Sequence, residues 1–570
     1  MKPRNLFEFV GLGWLFFLVL PVNLLSAQQG FRSLDVASTE TDPVAQLVQA
    51  GVEFERQQRW GEALSHYEEA VRRYPNQSEL QRRMGVARTY FDLSRRYIDD
   101  SFLDTLNQVS EQQALDLFGE VVLKIQSHYV QEPDWNQTLK NGTSCLRVAL
   151  TDETFNRVNQ VRGGETQAEQ MVNYVDQVFS QRDVHDRRQA QELVRWAARV
   201  ISRRLSVPVN AVIFEYICGA ASHLDSYSTF LTADQLDEVY SQIEGNFVGL
   251  GVELRAVDRS LLIANVIANG PASMAGIQAG DRIIGVDGVL TRDVTTDHAA
   301  DMLKGERGTF VDVELLAPSG DVRTIRVRRD RVEVPSVEDV KMVDTQAGVG
   351  YFRISSFQKT TSRDVDAALW KLHRDGMRSL VIDVRGNPGG LLNESVEVAD
   401  RFIVEGTIVA THGRNARENF DYKAHRVGTW RVPLVVLIDG DSASASEIFA
   451  GAIRDHRRGT VVGDRSYGKG SVQGIFPLRA VKGGVRLTTA KFYSPSGQAI
   501  SQGGVEPDIQ VHSVAKPVVQ SDRLLEQDGD DLVLVRGTQI ARELITTRQR
   551  PTQQRNARVS TNVTGVDRRD

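Results

Sequence analysis

The sequence predicts a multidomain α+β chain, in which a helical amino-terminal region precedes a small β-rich module and an α/β core. Three observations predict it. At 570 residues the chain is too long for one hydrophobic core, since domains cluster at about 100–150 residues. Between residues 103 and 230 apolar side chains recur at helical spacing, as in Leu115, Phe118, Val122 and Ile125. After Gly245 the pattern changes to short apolar runs between glycine turns, and then to near-continuous apolar strands separated by helical stretches.

Composition narrows the function classes without choosing one. Hydrophobic residues make up 41% and charged residues 25%, which excludes a multi-spanning membrane protein and a wholly disordered one. Against 74 Asp and Glu stand 68 Lys and Arg, a net charge of -6 without the basic excess that a phosphate-binding surface needs. Nucleic acid is therefore not an expected partner. Lys2 and Arg4 precede an apolar run over residues 10–20, Pro21 breaks it, and Leu25-Ser26-Ala27 offers small residues for cleavage. Residues 1–27 thus have the layout of a secretory signal, the alternative being an uncleaved anchor. Either way the expected location is exported, in the periplasm or cell envelope, with membrane contact only through a retained signal. Cys145 and Cys218 lie far apart and not in metal-ligand spacing, so a disulfide and two separate buried thiols both stay open.

Taken in order, residues 44–75 have helix-turn-helix spacing, with Gly51, Phe54, Ala63, Tyr67, Ala70 and Pro75 at the small, aromatic and terminal positions of a tetratricopeptide repeat. The resemblance covers one repeat, assigned to residues 41–100. A lone repeat cannot bury its own face, so it is expected to pack on neighbours or on a protein adaptor. Residues 101–244 form a further helical region. Residues 245–332 hold several short strands with a helix near residues 296–303, and residues 333–515 hold the α/β core. The extension over residues 516–570 is expected to lose order from about Thr547, where Arg, Gln and Thr accumulate without periodicity.

The chemistry-bearing segment follows an apolar strand over residues 434–438. Asp439-Gly440-Asp441 leads into Ser442-Ala443-Ser444-Ala445-Ser446-Glu447 and an apolar helix. A serine at a helix start has free N–H groups beside it, as an oxyanion site needs. Ser444 with Glu447 also reads as a capping box, in which the hydroxyl has only a structural task. His456 is too far along the helix to act as a base, and with Arg457, Arg458 and Gly459 it fits a helix end. Lys469 suits better, provided burial lowers its pKa. If residues 469–473 are extended, the two-residue period puts Lys469, Ser471 and Gln473 on one face, so that Gln473 orients the lysine. Gly463, Gly468 and Lys469 mimic a phosphate loop, but Gly470 stands where Ser or Thr should hold magnesium, and a β-like run follows instead of a helix.

These residues resemble the carboxyl-terminal processing, or tail-specific, peptidases. The resemblance runs over residues 224–511. It rests on Leu380-Val381-Ile382-Asp383-Val384-Arg385-Gly386-Asn387-Pro388-Gly389-Gly390, the Ser442 to Glu447 run, Tyr467-Gly468-Lys469-Gly470-Ser471-Val472-Gln473, Leu487-Thr488-Thr489-Ala490-Lys491-Phe492-Tyr493-Ser494-Pro495-Ser496-Gly497 and Gly504-Val505-Glu506-Pro507-Asp508. It implies an α/β Ser–Lys peptidase core with Ser444 as nucleophile, Lys469 as base and Gln473 as its support. Residues alone do not choose among the three serines; the choice of Ser444 comes from the resemblance. The N–H of Ala445 and that of Gly389 or Gly390 are implied as the oxyanion hole. Upstream, Val248-Gly249-Leu250-Gly251 and the block from Gly270 to Ile283 resemble a PDZ domain, whose glycine loop takes a terminal carboxylate beside an open strand edge.

The resemblance thus implies an exported serine endopeptidase acting on proteins with accessible carboxyl ends, without cofactor or metal. The alternative is a non-enzymatic adaptor that binds carboxyl-terminal peptides. Two departures stand out. Ser226 and Tyr227 replace the family's Pro and His in its L-D-P-H-S block, which is expected to be packing outside the chemistry. Asp441 replaces a glycine, and its carboxylate is expected to bear on the protonation of Lys469.

Overall fold

The computed structural model describes residues 42–512, apart from 258–259, 295–298, 300–301, 426–427 and 502, together with 531–560. The signal-like segment 1–27 and most of the helix expected near residues 296–303 lie outside the described residues.

Helices α1 (Pro43–Arg56) and α2 (Trp60–Arg73) form a hairpin, followed by α3 (Ser78–Arg96). Gly51 is required where the hairpin closes, because a Cβ there would lie 2.3 Å from the Tyr67 ring. Ala63, Tyr67, Ala70, Leu80 and Ala87 make this subdomain's own small core. The next helices, through Val209–Ser222, share one larger core in which Phe118, Phe155, Phe179 and Phe214 are buried. The stretch over residues 153–205 folds into three helices whose Phe155, Val172, Val175, Val194 and Ile201 join that core. Leu478, Val485 and Leu487 of the catalytic half also belong to it, so the helical region packs directly on the sheet described below. Cys145 and Cys218 are both buried and unpaired.

Strand β1 (Thr229–Leu231) leads to a β-rich module of β2 (Asn246–Gly249), β3 (Val252–Val257), β4 (Ser260–Val266), β5 (Arg282–Val286), β6 (Val289–Leu290), β7 (Phe310–Leu316), β8 (Val322–Arg328) and β9 (Asp330–Glu333). Its main sheet runs β3-β4-β5-β7-β8, with β6 on β5, and β2 pairs with β9 separately. Ile263, Ile283, Val311, Val313 and Leu315 form its core. Strand β3 ends the sheet order, leaving one strand edge for pairing.

The α/β core contains β10 (Val337–Asp344), β11 (Val349–Ile354), β12 (Ser379–Asp383), β13 (Thr407–Gly413), β14 (Phe420–Lys423), β15 (Leu434–Ile438), β16 (Thr460–Gly463), β17 (Ser471–Pro477), β18 (Gly484–Tyr493) and β19 (Ile509–Gln510). One sheet runs β10-β11-β12-β15-β16-β19, parallel except for the β10–β11 pair. A second runs β1-β18-β13-β14, with β17 on β18. The near-continuous apolar reading of β15 has a physical reason. Leu434, Val436 and Ile438 enter one core and Val435 and Leu437 the other, so both faces are buried.

In the carboxyl-terminal extension a helix runs over Leu532–Ser560. Its Val533, Ile540 and Ala541 cover the sheet face of Val381, Val435 and Leu437. Each such Val or Ile contributes about 1.5–3 kcal/mol by burial. Asp531 anchors the approach to the helix, accepting from both terminal nitrogens of Arg385 at 2.8 and 2.7 Å.

Candidate active site

Strand β15 delivers the chain to a turn built by Asp439. Its Oδ1 accepts the N–H groups of Asp441 (3.1 Å) and Ser442 (3.0 Å), and its two oxygens accept that of Gly386 at 3.0 and 3.1 Å. The Ala445–Asp455 helix then starts. The three serines of the run differ in what their hydroxyls do. Ser442 Oγ donates to the Val384 carbonyl at 2.8 Å and Ser446 Oγ to the Asn387 carbonyl at 3.0 Å, and both residues are fully buried. Ser444 is half-buried; with Glu447 it forms the capping box read in the sequence, its oxygen facing the Glu447 backbone N–H, but among the described residues its hydroxyl donates to no acceptor. Its backbone sits at φ 54, ψ -111, a region costing a residue with a Cβ roughly 1–3 kcal/mol. Such strain gathers at functional sites, where the surrounding fold holds it in place.

The Asn387-Pro388-Gly389-Gly390 turn lies against this serine. A Cβ on Gly389, at φ +106, would stand 2.8 Å from Ser444 Cβ and 2.7 Å from the Ala443 carbonyl, so only glycine allows the approach. Asn387 shapes the turn, donating to the Ile354 carbonyl (2.9 Å) and accepting the Gly389 N–H (2.8 Å). That bond occupies Gly389. Among the described residues the N–H groups of Gly390 and Ala445 have no partner, and Gly390 is exposed.

Glu447 joins this helix to the lysine loop. One carboxylate oxygen accepts the N–H groups of Ser444 (2.8 Å) and Lys469 (2.9 Å), and the other accepts Ser466 Oγ (2.6 Å) and the Gly468 N–H (2.7 Å). Burial pushes the Glu447 carboxyl upward, and these four bonds oppose the shift. Glu447 read in sequence only as a cap partner. Nothing local signals its second set of donors, which arrives from residues 466–469.

Burial pushes the Lys469 ammonium down to about 8, Arg486 adds to the shift, and Glu447 opposes it. Two expectations need correction. Lys469 lies in the loop before β17, which begins only at Ser471, so the two-residue period of the strand does not reach back to it. The Gln473 amide is turned to Ser471, donating to its Oγ (2.8 Å) and carbonyl (3.0 Å), and among the described residues no hydrogen bond joins it to Lys469. Asp441 is exposed and its charged neighbours are Asp439 and Arg72, so the carboxylate acting on Lys469 is Glu447. Among the described residues no hydrogen bond joins Lys469 Nζ to Ser444 Oγ. His456 Nε2–H donates to the Thr407 carbonyl at 2.8 Å, away from the serine.

A third correction concerns Tyr227. Expected to be packing outside the chemistry, it has its ring centroid 5.1 Å from Lys469 Nζ. Two residues before the lysine, Tyr467 carries the Arg72 guanidinium of α2 at 4.4 Å from its ring centroid. The amino-terminal hairpin therefore touches the lysine loop.

In the β-rich module, Val248 and Gly249 belong to β2, where they pair with Arg331 and Asp330 of β9. Leu250 and Gly251 form the turn into β3, Gly251 at φ +79. Their carbonyls are used by Ala272 (2.8 Å) and Ile267 (2.9 Å), while their N–H groups have no partner among the described residues. This leaves two donors at the open β3 edge. Among the described residues no group of three or more His, Cys, Asp or Glu side chains has the arrangement to hold a metal ion.

The sequence profile described as "Peptidase family S41" matches residues 348–511, and that of the PDZ domain matches residues 239–316. A "Carboxy-terminal-processing protease" of Bartonella bacilliformis is 37% identical over 321 residues, covering 55% of this chain and 73% of the relative. The chain belongs to peptidase family S41. Within the family, a "Carboxyl-terminal-processing protease" of Picosynechococcus sp. is 33% identical over 288 residues, 50% of this chain and 69% of the relative. A solved photosystem II D1 C-terminal processing protease is 26% identical, with 70% of this chain and 93% of that one aligned at a TM-score of 0.36. The chain is thus a carboxyl-terminal-processing serine protease with a PDZ domain.

Proposed function

We propose that the chain is an exported endopeptidase that captures a substrate's carboxyl end on its PDZ domain and cleaves through Ser444 and Lys469. The observation that carries this is the contrast within the serine run. Of the three serines, Ser444 alone combines a hydroxyl proton with no acceptor among the described residues, a strained backbone and two open N–H groups nearby, and Glu447 ties it to a lysine whose ammonium is pushed down to about 8.

In this mechanism the unprotonated Lys469 amine takes the Ser444 Oγ proton while Oγ attacks the scissile carbonyl. The Gly390 and Ala445 N–H groups receive the developing oxyanion. Lysine returns the proton to the leaving amine, which departs as the acyl-enzyme forms. The same amine then activates a water that releases the acid. In this reading Gln473 supports the lysine after its amide turns from Ser471, and the Leu250 and Gly251 N–H groups take the substrate carboxylate while its backbone adds to β3. Export rests on the layout of residues 1–27.

The test uses purified full-length protein and a loosely folded substrate with an apolar carboxyl end. Ser444→Ala and Lys469→Ala should each abolish cleavage while leaving peptide binding intact. Unchanged cleavage by either variant would refute the Ser–Lys assignment. The adaptor alternative rests on a carboxylate at Asp441 holding Lys469 protonated, and the charged neighbours of Asp441 are Asp439 and Arg72 instead.

A further inference from the structure

Among the described residues Lys469 Nζ makes no hydrogen bond and no ion pair; what it meets is the face of Tyr227. Long lysine side chains carry much rotamer freedom, and a base that serves one hydroxyl needs that freedom removed. The segment bearing Tyr227 is built to stay in place. Asp225 Oδ1 accepts the N–H groups of Tyr227 and Ser228, both at 2.7 Å, and Oδ2 accepts Ser228 Oγ at 3.2 Å. Arg486 Nε reaches across from β18 to donate to the Tyr227 carbonyl at 2.9 Å. The same Arg486 is the cation that helps depress the lysine. The lysine loop is fixed from its own side, by the Tyr467 N–H on the Ser442 carbonyl (3.0 Å) and by Arg72 on the Tyr467 ring.

We propose that Tyr227 is a positioning residue for Lys469, its ring holding the lysine nitrogen in place through a cation–π contact. This rests on the reading of Lys469 as the base. The ring packs against the waiting amine and attracts the ammonium that forms as Ser444 gives up its proton; because it favours ammonium over amine, it also opposes part of the effect of burial. The charged and titratable groups around the pair are Arg486 from β18, Glu447 from the Ala445–Asp455 helix, Glu68 from α2, Asp225 from the same segment and Tyr467 from the loop. None is altered by a change at Tyr227, which makes the residue separable by mutation.

The experiment compares full-length wild type with Tyr227→Phe, Tyr227→Leu and Lys469→Ala, measuring kcat and KM across pH on one peptide substrate. Tyr227→Phe keeps the ring and should keep kcat within about twofold. Tyr227→Leu should lower kcat about tenfold with KM unchanged and move the basic-form midpoint to lower pH by about half a unit. Tyr227→Met replaces the leucine variant if the latter unfolds. A second readout is independent of turnover: in Ser444→Ala protein, the pH at which Lys469 becomes acetylated by acetic anhydride should move the same way. A leucine variant with wild-type kcat and midpoint would overturn the proposal, as would a phenylalanine variant as impaired as the leucine one. If Lys469→Ala is inactive while Tyr227→Leu is normal, only the role of Tyr227 fails. Activity in Lys469→Ala would remove the base assignment and the proposal together.

Discussion

Glu447 Oε2 accepts the Lys469 backbone N–H at 2.9 Å, and in doing so fixes the lysine loop to the helix that begins at Ser444. A carboxylate can serve four donors because it offers lone pairs and no proton. An amide cannot. Glu447→Gln turns one acceptor into a donor facing N–H and O–H groups, leaving at least two of the four without a partner. Chemical unfolding should show a loss of roughly 2–4 kcal/mol. Proteolysis should fall further than stability accounts for, because the two loops lose their common anchor.

The lysine sets a pH dependence of definite sign. Only the amine accepts a proton, so kcat/KM should climb as pH rises through about 8 and level off above it. Folding holds the group below its ordinary 10.5, so between about 8 and 10.5 the unfolded chain binds more protons than the folded one. Within that window this group's contribution to stability rises with pH and is lost as pH falls through about 8. Thermal melts of Lys469→Met against wild type should show that slope disappear.

Gly390→Ala tests the oxyanion assignment. A Cβ there would fall 2.1 Å from the Phe357 carbonyl oxygen, at a φ of +140, so the turn must move and carry its free N–H away. A drop in kcat of about 10²–10³ is expected, with KM little changed. Steady-state kinetics on a peptide ester and amide pair would measure it.

The PDZ assignment predicts dependence on a free carboxylate. A peptide ending in a carboxamide should bind more weakly than its acid form by about tenfold or more, since a charged acceptor is lost from the Leu250 and Gly251 donors. Titration of the two peptides by fluorescence anisotropy checks it.

Much of the fold was legible in sequence because it depends on local pattern. The apolar run over residues 434–438, buried on both faces, and the glycine turns of the β-rich module carry their structure in adjacent residues. The site was legible only where spacing is short or family motifs are dense. Ser442, Ser444 and Ser446 look alike in sequence, and only the distant acceptors Val384 and Asn387 set two of them apart. Tyr227 and Lys469 meet because the helical region shares a core with β18, a long-range event with no local signature. Gln473 was misplaced for a simple reason: the strand starts at Ser471, so its period pairs Gln473 with Ser471 and leaves Lys469 in the loop before it. The tail helix was missed because its apolar positions, Val533, Ile540 and Ala541 among them, acquire meaning only against the distant sheet face of Val381, Val435 and Leu437 that they cover.

The most direct test of Ser444 and Lys469 is to label the full-length protein with a serine-acylating β-lactone at pH 8.5 and map the adduct by mass spectrometry. Acylation should fall on Ser444 alone and vanish in Lys469→Ala, while Ser442→Ala and Ser446→Ala still label. An adduct on Ser442 or Ser446, or undiminished labelling of Ser444 without the lysine, would contradict the assignment.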